Sequence, residues 1–145
     1  MGARSNIVLN DGQATPVAHT FAPTQDSVGG WSRFVDRSGG IAAGYPELRL
    51  RLTEPTPVPL GQVPRGSRIY MSDTRIIVPT LETLGTSSSG YTPPPSAAYS
   101  CSFRIQSFMP ERSTQLERKN ARAFAANWLA CAVALLLYQD NEGVY

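Results

Sequence analysis

The spacing of apolar residues changes once along this chain, at Pro110. Before that residue, segments 45–54 (YPELRLRLTE) and 97–108 (AAYSCSFRIQSF) alternate apolar with polar side chains. Alternation with a period of two is typical of β-strands that bury one face. After Pro110, residues 114–139 are rich in Ala, Leu and Arg and lose this alternation. Strands followed by helices predict an α+β fold, with the helices on one face of an antiparallel sheet.

Other segments before Pro110 are also candidate strands, and turn-forming residues separate them. They are residues 6–10, 15–22, 31–37 and 68–81. The last of these alternates poorly around Ser72 and Asp73, so a β-bulge or a break there is left open. Gly and Pro contribute 12 residues each, which excludes a compact helical bundle and predicts many turns or long loops.

The helical region opens with a capping signal and becomes apolar further on. Ser113 or Thr114 can serve as the N-cap, and Glu117 follows Thr114 at the spacing of a capping box. Residues 123–138 are apolar on nearly all sides but fall short of the roughly 20 residues that span a bilayer. An apolar helix outside a membrane must be buried on most sides. Because one sheet covers only one side, we expect a second chain as the remaining cover and no membrane partner.

The polar sides of the predicted strands carry arginine. Leu48, Leu50 and Leu52 point to one side of their strand, so Arg49 and Arg51 point to the other. The same alternation assigns two sets of residues on the neighbouring strands. Toward the core it places Thr74, Ile76, Val78, Tyr99, Cys101, Phe103 and Ile105, and on the open side Met71, Asp73, Arg75, Ser100, Ser102, Arg104 and Gln106.

An open sheet surface with four arginines is compatible with an anionic partner. Like charges at this spacing repel each other, and a bound polyanion would relieve the repulsion. The alternative, which remains open at this point, is a solvated face with scattered charges. Since the aromatic residues of these strands fall on the core side, we do not expect a base-stacking platform.

No pattern in the chain supports catalysis or metal binding. Cys101 and Cys131 are far apart, and neither a CxxC pair nor a zinc-ligand set is present. A single histidine, His19, cannot form a metal site alone, and we interpret it as an ordinary strand residue. Neither a GxGxxG motif nor a P-loop occurs. We therefore expect no enzyme, no cofactor, no metal and no small-molecule substrate.

In order and in length, these segments resemble the coat proteins of the single-stranded RNA bacteriophages, the leviviruses. The resemblance covers nearly the whole chain and ends at Tyr145. It is carried by NIVLNDGQATPVAHTFAP, WSRFVDRSGG, YPELRLRL, VPTLETLGTSSSGYTPPPSAAY and STQLERKNARAFAANWLACAVALLLYQDNEGVY.

The resemblance implies a single coat-protein domain over residues 1–145. Its parts would be an N-terminal β-hairpin (1–24), a five-stranded antiparallel sheet (30–109) with an inter-strand loop (84–96), two C-terminal α-helices (113–140) and a tail (141–145). Two chains would form an intertwined homodimer, each with its helices packed over the partner's sheet. The implied dimer-interface residues are Phe124, Trp128, Leu129, Val133, Leu136 and Leu137.

The resemblance also implies a function in the virion. Dimers would assemble in the cytoplasm of a bacterial host into an icosahedral T=3 shell around genomic single-stranded RNA. The inward sheet face would bind an RNA stem-loop, which represses translation and marks the RNA for packaging. Strand order and alternation assign the RNA-binding residues as Arg49, Arg51, Thr53, Asp73, Arg75, Ser102, Arg104 and Gln106. The inter-dimer loop residues would be Gly85, Gly90, Tyr91, Pro93, Pro94 and Pro95.

Two differences from the better-known relatives matter for this reading. Ser102 stands where those relatives carry a tyrosine that stacks on an RNA base, and arginines replace lysines on the contact strands. Cys101 and Cys131 are expected to be buried, so no disulfide is expected.

Two other functions remain open: a dimeric RNA-binding module that forms no shell, and a β-rich adhesin anchored by its C-terminal helix.

Overall fold

A computed structural model describes residues 4–24, 29–62, 68–82, 85, 90 and 92–143. Six strands form one sheet in chain order: β1 (Ile7–Asn10), β2 (Ala18–Pro23), β3 (Ser32–Val35), β4 (Glu47–Thr53), β5 (Ile69–Leu81) and β6 (Ala97–Pro110). A short 3₁₀ turn, Ala42–Gly44, lies between β3 and β4. Two helices follow the sheet, α1 (Gln115–Leu129) and α2 (Ala132–Tyr138). The predicted α+β class is confirmed.

The described residues divide into two compact units. The first contains Met1–Pro55 and Tyr70–Phe108, and therefore most of the sheet. The second contains Thr56–Ile69 and Met109–Tyr145, and therefore both helices.

The sheet described has six strands, because the N-terminal hairpin is part of it and residues 30–109 supply four strands rather than the five expected. The first four residues of β2 pair with β1, from Asn10 opposite Ala18 to Ile7 opposite Phe21. The last two residues of β2 continue past β1 and pair with β3, where Ala22 lies opposite Val35. One strand thus joins the hairpin to the rest of the sheet.

The registers of β4 and β5 confirm the predicted division into two faces. Leu48 lies opposite Ile76 and Leu50 opposite Thr74, while Arg49 lies opposite Arg75. Residues directly opposite each other in a sheet share a face. The pairing of β5 with β4 runs without interruption from Glu47 to Thr53, so on this side β5 has no bulge or break near Ser72.

The core of the sheet unit lies on the leucine side. Phe21, Phe34 and Leu48 are buried together, with Ile7, Leu50 and Ile76 packed against them. Burying one such side chain contributes about 1.5–3 kcal/mol to folding. Leu52, at the far end of the same stripe, stays 59% exposed.

The predicted core side of β6 is uncovered in the single chain. Tyr99, Cys101 and Ile105 are exposed, and Phe103 is half-buried. Cys101 is thus exposed and Cys131 only half-buried, so the expectation that both cysteines are buried is wrong. The physical reason is that alternation gives the direction of a side chain and not what packs against it, and in the single chain this side of Tyr99, Cys101 and Ile105 is open to solvent.

The helical unit begins as predicted. The Thr114 Oγ1 accepts a hydrogen bond from the Glu117 amide at 3.2 Å, and the Glu117 carboxylate accepts one from the Thr114 amide at 2.7 Å. These two bonds complete the capping box. In the part of the chain that the structure describes, no single helix is long and apolar enough to cross a membrane. Together α1 and α2 meet the length and composition required, but they are bent by 67° at their junction.

Candidate nucleic-acid interface

Five arginines share the side of the sheet opposite the leucines. Arg33, Arg49 and Arg75 form one row across β3, β4 and β5, because each lies directly opposite the next. Arg51 lies opposite Asp73 in the adjacent row. Arg104 on β6 joins them, because its guanidinium binds the Asp73 carboxylate. We call the surface formed by Arg33, Arg49, Arg51, Arg75 and Arg104 the arginine face.

Glu47, at the start of β4, holds two of these arginines. Its carboxylate accepts a hydrogen bond from the Arg33 guanidinium and two from Arg49, at 3.0 and 2.7 Å. Burial raises the pKa of Glu47, but the hydrogen bonds from Arg33 and Arg49 outweigh burial and leave the pKa below its usual range. The carboxylate is therefore ionised and neutralises part of the charge of its neighbours.

Asp73 holds a third arginine and is the most deeply buried charged residue described. Only 1% of Asp73 is exposed. Arg104 donates to both carboxylate oxygens, at 3.0 and 2.6 Å, and Gln106 donates at 3.4 Å. The hydrogen bonds from Arg104 are the main cause of the lowered pKa of Asp73, and burial opposes them. A two-pronged arginine–carboxylate pair of this kind fixes the orientation of both groups.

Trp31, just before β3, lies under the two remaining arginines. The Cζ atoms of Arg51 and Arg75 are 4.8 and 4.5 Å from the centre of its ring. Both distances are within the roughly 6 Å over which a guanidinium is attracted to an aromatic face. Arg75 also lies 3.7 Å from Asp73, whereas Arg51 has no carboxylate within ion-pair distance among the described residues.

The structure brings together most of the residues predicted for the interface. Six of the eight meet through the contacts and pairings given above: Arg49, Arg51, Asp73, Arg75, Arg104 and Gln106. Ser102 is exposed on β6, two residues before Arg104 and hence on the same side. Thr53 is exposed at the end of β4, opposite Met71.

Sequence reasoning missed Trp31, Arg33 and Glu47. The signal was present in the segment WSRFVDR, since a core position for Phe34 forces Arg33 to the other side. Alternation on the neighbouring strands says nothing about Trp31, which precedes β3 and whose ring lies against Arg51 and Arg75.

A second charged cluster lies beside the hairpin. His19 on β2 has its Nδ1 2.6 Å from the Asp36 carboxylate and its Nε2 3.4 Å from the Asp11 carboxylate. The contact with Asp36 raises the pKa of His19. Asp36 is also bonded by the amide and hydroxyl of Ser38, and Asp11 by the Val17 amide. The interpretation of His19 as an ordinary strand residue therefore misses its role in this cluster.

The loop between β5 and β6 is closed at its base. The Glu82 amide donates to the Ser96 carbonyl oxygen at 2.9 Å, and the Ser96 hydroxyl donates to the Glu82 carboxylate at 2.8 Å. Gly90 has a φ of 79°, a left-handed conformation that favours glycine. Pro93, Pro94 and Pro95 are described and lie outside regular structure, whereas Tyr91 lies outside the described residues.

Within the described part of the chain, no group of three or more His, Cys, Asp or Glu residues could hold a metal ion. The arginine face is a charged surface of the sheet. The guanidinium groups of the arginine face can bind anions. The indole ring of Trp31 orients two of these groups, those of Arg51 and Arg75.

Comparisons with known proteins point to one family. A family model described as levivirus coat protein matches residues 2–145. The coat protein in the virus-like particle of bacteriophage ESE058 is 30% identical, with a TM-score of 0.88 over 99% of this chain and 100% of that one. The virus-like particle of bacteriophage NT-214 gives 27% identity and a TM-score of 0.79 over 97% and 98% of the two chains.

A more distant structure shares the fold. The capsid protein of bacteriophage GA is 12% identical, with a TM-score of 0.65 over 98% of each chain. A comparison with curated proteins finds no match.

Proposed function

The chain belongs to the levivirus coat protein family, and from that premise we propose that it forms homodimers whose shells hold single-stranded viral RNA against the arginine face. The protein is a structural component of the virion and not an enzyme. The RNA contact and the dimer are the proposed part, and each is argued separately below.

The charge of the arginine face supports an RNA partner. Its five guanidinium groups are balanced by only two carboxylates, those of Glu47 and Asp73, which leaves three positive charges on one small surface. Arginine binds phosphate oxygens with paired hydrogen bonds, and such contacts supply most sequence-independent affinity for nucleic acids. This excess of guanidinium over carboxylate is the observation that carries the proposal.

The test compares nucleic acid in particles formed by the full chain and by a variant. Changing Arg49, Arg51, Arg75 and Arg104 together to Ala is expected to lower the RNA content of purified particles and to flatten the salt dependence of RNA binding. The control removes the same charge elsewhere, by changing Arg37, Arg112, Lys119 and Arg122 to Ala. Unchanged RNA content in the first variant would support a merely solvated face.

Electron microscopy and size-exclusion chromatography of the same preparations test assembly. Particles of megadalton size are expected when the chain is expressed alone. A small dimer that binds RNA and never forms a shell would favour the alternative of a non-capsid RNA-binding module.

We also propose that the face recognises a stem-loop and thereby represses translation. Ser102, Thr53 and Gln106 border the arginines and offer short polar groups that can read base edges, while arginine–phosphate contacts set the position of the RNA. Selection from a library of RNA hairpins is expected to enrich a related set. Changing Ser102 and Gln106 together to Ala should reduce the preference for that set more than it reduces binding of random RNA. Equal losses for both would contradict specific recognition.

The surface of the helices supports the homodimer. Apolar side chains on α1 and α2 are exposed in the single chain, including Phe124 at 74% and Trp128 at 43%. Contiguous apolar surface of this kind marks interaction sites. The outer edge of β6 supports the same proposal, because an unpaired strand edge can pair with a second copy of itself. We propose that each chain's helices cover the partner's sheet and that the two β6 strands join the sheets.

The loop at 84–96 is proposed to contact neighbouring dimers in the shell. Gly85, Gly90 and the three prolines are its described members within the predicted set. Shortening this loop is expected to change particle size or particle stability, while the dissociation constant of the dimer stays the same. Loss of the folded dimer would contradict this assignment.

A further inference from the structure

The five arginines of the arginine face differ in how much of their charge is already neutralised. Arg33 and Arg49 bind Glu47, and Arg104 binds both oxygens of Asp73. Arg75 lies 3.7 Å from an Asp73 oxygen that Arg104 already approaches to 2.6 Å. Arg51 is without a carboxylate partner in the described chain. Of the three positive charges that remain, one is shared by Arg33 and Arg49, which divide a single carboxylate, and the other two lie on Arg51 and Arg75.

These two arginines are also the pair that lies over Trp31. A guanidinium stacked on an aromatic ring uses its flat face for the ring, so its N–H groups stay available in the plane for paired bonds to an oxyanion. The Nε atoms of both arginines, like that of Arg33, are buried and have no acceptor in the described structure, so a phosphate would be bound by the terminal amino groups. Unlike those of Arg33, Arg49 and Arg104, the terminal amino groups of Arg51 and Arg75 make no hydrogen bond to a carboxylate among the described residues.

We propose that Trp31, Arg51 and Arg75 form the phosphate-binding subsite of the arginine face. Arg33 instead links β3 to β4 through Glu47, and Arg104 links β5 to β6 through Asp73, while Arg49 binds Glu47 of its own strand. This proposal rests on the proposed RNA contact and assigns that contact to particular residues. Trp31 acts as a positioning residue: its ring keeps two like charges side by side, and a bound phosphate relieves their repulsion.

The closing experiment measures binding of a fluorescently labelled single-stranded RNA of mixed sequence to the full chain at several salt concentrations. Arg51→Ala is expected to lower the slope of log affinity against log salt by about 0.7, the value for one phosphate contact on a single strand. Arg49→Ala is the comparison within the interface, because it removes the same charge from the same strand and face, and it is expected to lower the slope less than Arg51→Ala does. Arg37→Ala is the control outside the interface, since Arg37 is exposed and lies outside the strands, and its slope is expected to equal that of the unsubstituted protein.

A conservative variant and a double-mutant cycle separate charge from positioning. Arg51→Lys keeps the charge but lacks the planar fork, so the slope should stay while affinity falls several-fold. Trp31→Leu should weaken RNA binding several-fold in the unsubstituted protein and have no effect when Arg51 and Arg75 are both Ala. A purely structural role of Trp31 would weaken binding in both backgrounds.

The outcomes distinguish this subsite from the broader RNA proposal. If the unsubstituted chain binds RNA but Arg49→Ala and Arg51→Ala lower the slope equally, the subsite is overturned and the RNA contact stands. If the unsubstituted chain shows no salt-dependent RNA binding, the proposed function is overturned and the subsite with it. Circular dichroism of each variant confirms that the folded chain is being compared.

Discussion

At the level of single residues, Asp73 organises the arginine face. A carboxylate that is almost fully removed from water must be paired and hydrogen-bonded to remain charged. Arg104 provides this pairing with two bonds, and Gln106 adds a third. The residue therefore links β5 to β6 and at the same time reduces the charge that the face offers to RNA.

Asp73→Asn is expected to change stability and RNA binding in opposite directions. The thermal midpoint should fall, because the Arg104 guanidinium loses its charged acceptor. RNA affinity should rise and the salt slope should steepen by about 0.7, since one more guanidinium becomes available to phosphate. Thermal unfolding and RNA titration measure the two effects. Asp140→Asn, which changes the net charge equally in the other unit, serves as control, and weaker RNA binding by Asp73→Asn would refute the prediction.

The His19 cluster predicts a pH dependence of stability. The pKa of His19 in the folded protein lies above its usual value of 6.5. The contribution of His19 to the free energy of unfolding is therefore fully present below pH 6.5 and is lost as the pH rises through the raised pKa. The pKa values of Asp11 and Asp36 lie below the usual 3.8. Their contribution is present above that pH and is lost as the pH falls through the lowered values. The cluster is thus most stabilising between these limits.

Comparing the stability of His19→Gln with that of the unsubstituted protein at pH 5.5 and pH 9 tests this pH dependence. The variant should lower the thermal midpoint clearly at pH 5.5 and less at pH 9, because the stabilisation is lost as the pH rises through the raised pKa of His19. Equal losses at both pH values would mean that the imidazolium charge contributes nothing.

Residue positions could be predicted from alternation, but their partners could not. Alternation placed Arg49, Arg51 and Arg75 on one side because a strand permits only two directions. It could not assign Glu47 to Arg33, since that pairing depends on which strands are neighbours. Nor could it bring His19 to Asp36, because those residues meet only after the hairpin joins the sheet.

Among the elements, α1 is the one whose start was predicted most closely. Its signal is local, since Thr114 and Glu117 are three residues apart and satisfy each other's backbone groups. The strand β6 was predicted nearly as well, at residues 97–108 against the observed Ala97–Pro110. What covers β6 could not be predicted from a local pattern, because alternation identifies an apolar side and says nothing about its neighbour.

Thr114→Ala tests the contribution of the cap. Loss of an N-cap hydroxyl costs about 1 kcal/mol of stability, because the Glu117 amide loses its acceptor. Urea unfolding of the full chain measures the change, with Thr56→Ala as control, since Thr56 is exposed and lies outside helices and strands. The same loss in both variants would argue against a specific role of the capping box.

For the whole molecule, the main feature is the apolar surface of the helices, which the single chain leaves exposed. Among the described residues, the buried apolar side chains are only Phe21, Phe34, Val35, Leu48 and Ala134. Leucines and aromatic residues along α1 and α2 remain uncovered. A chain of this size ordinarily buries about two-thirds of its unfolded surface. We therefore expect much of the missing burial to come from a second chain.

Ending the chain after Arg112 is expected to abolish the soluble dimer, because it removes both helices. Size-exclusion chromatography with light scattering measures the outcome, and a well-folded truncated monomer would contradict the intertwined dimer. Leu136→Asp should have the same effect in the intact chain, since it places a charge on the apolar surface of α2. Leu60→Asp is the control, because Leu60 is fully exposed and lies outside both helices.

Two hydrogen bonds join Glu82 to Ser96 at the base of the β5–β6 connection. Because they fix the two ends of this connection, a change within it need not disturb the sheet. With its stem clamped, the segment between them can be exchanged or lengthened without shifting strand register, and each doubling of its length costs only about 0.6 kcal/mol in closure entropy. Foreign peptides grafted at this point would therefore be displayed on an unaltered scaffold.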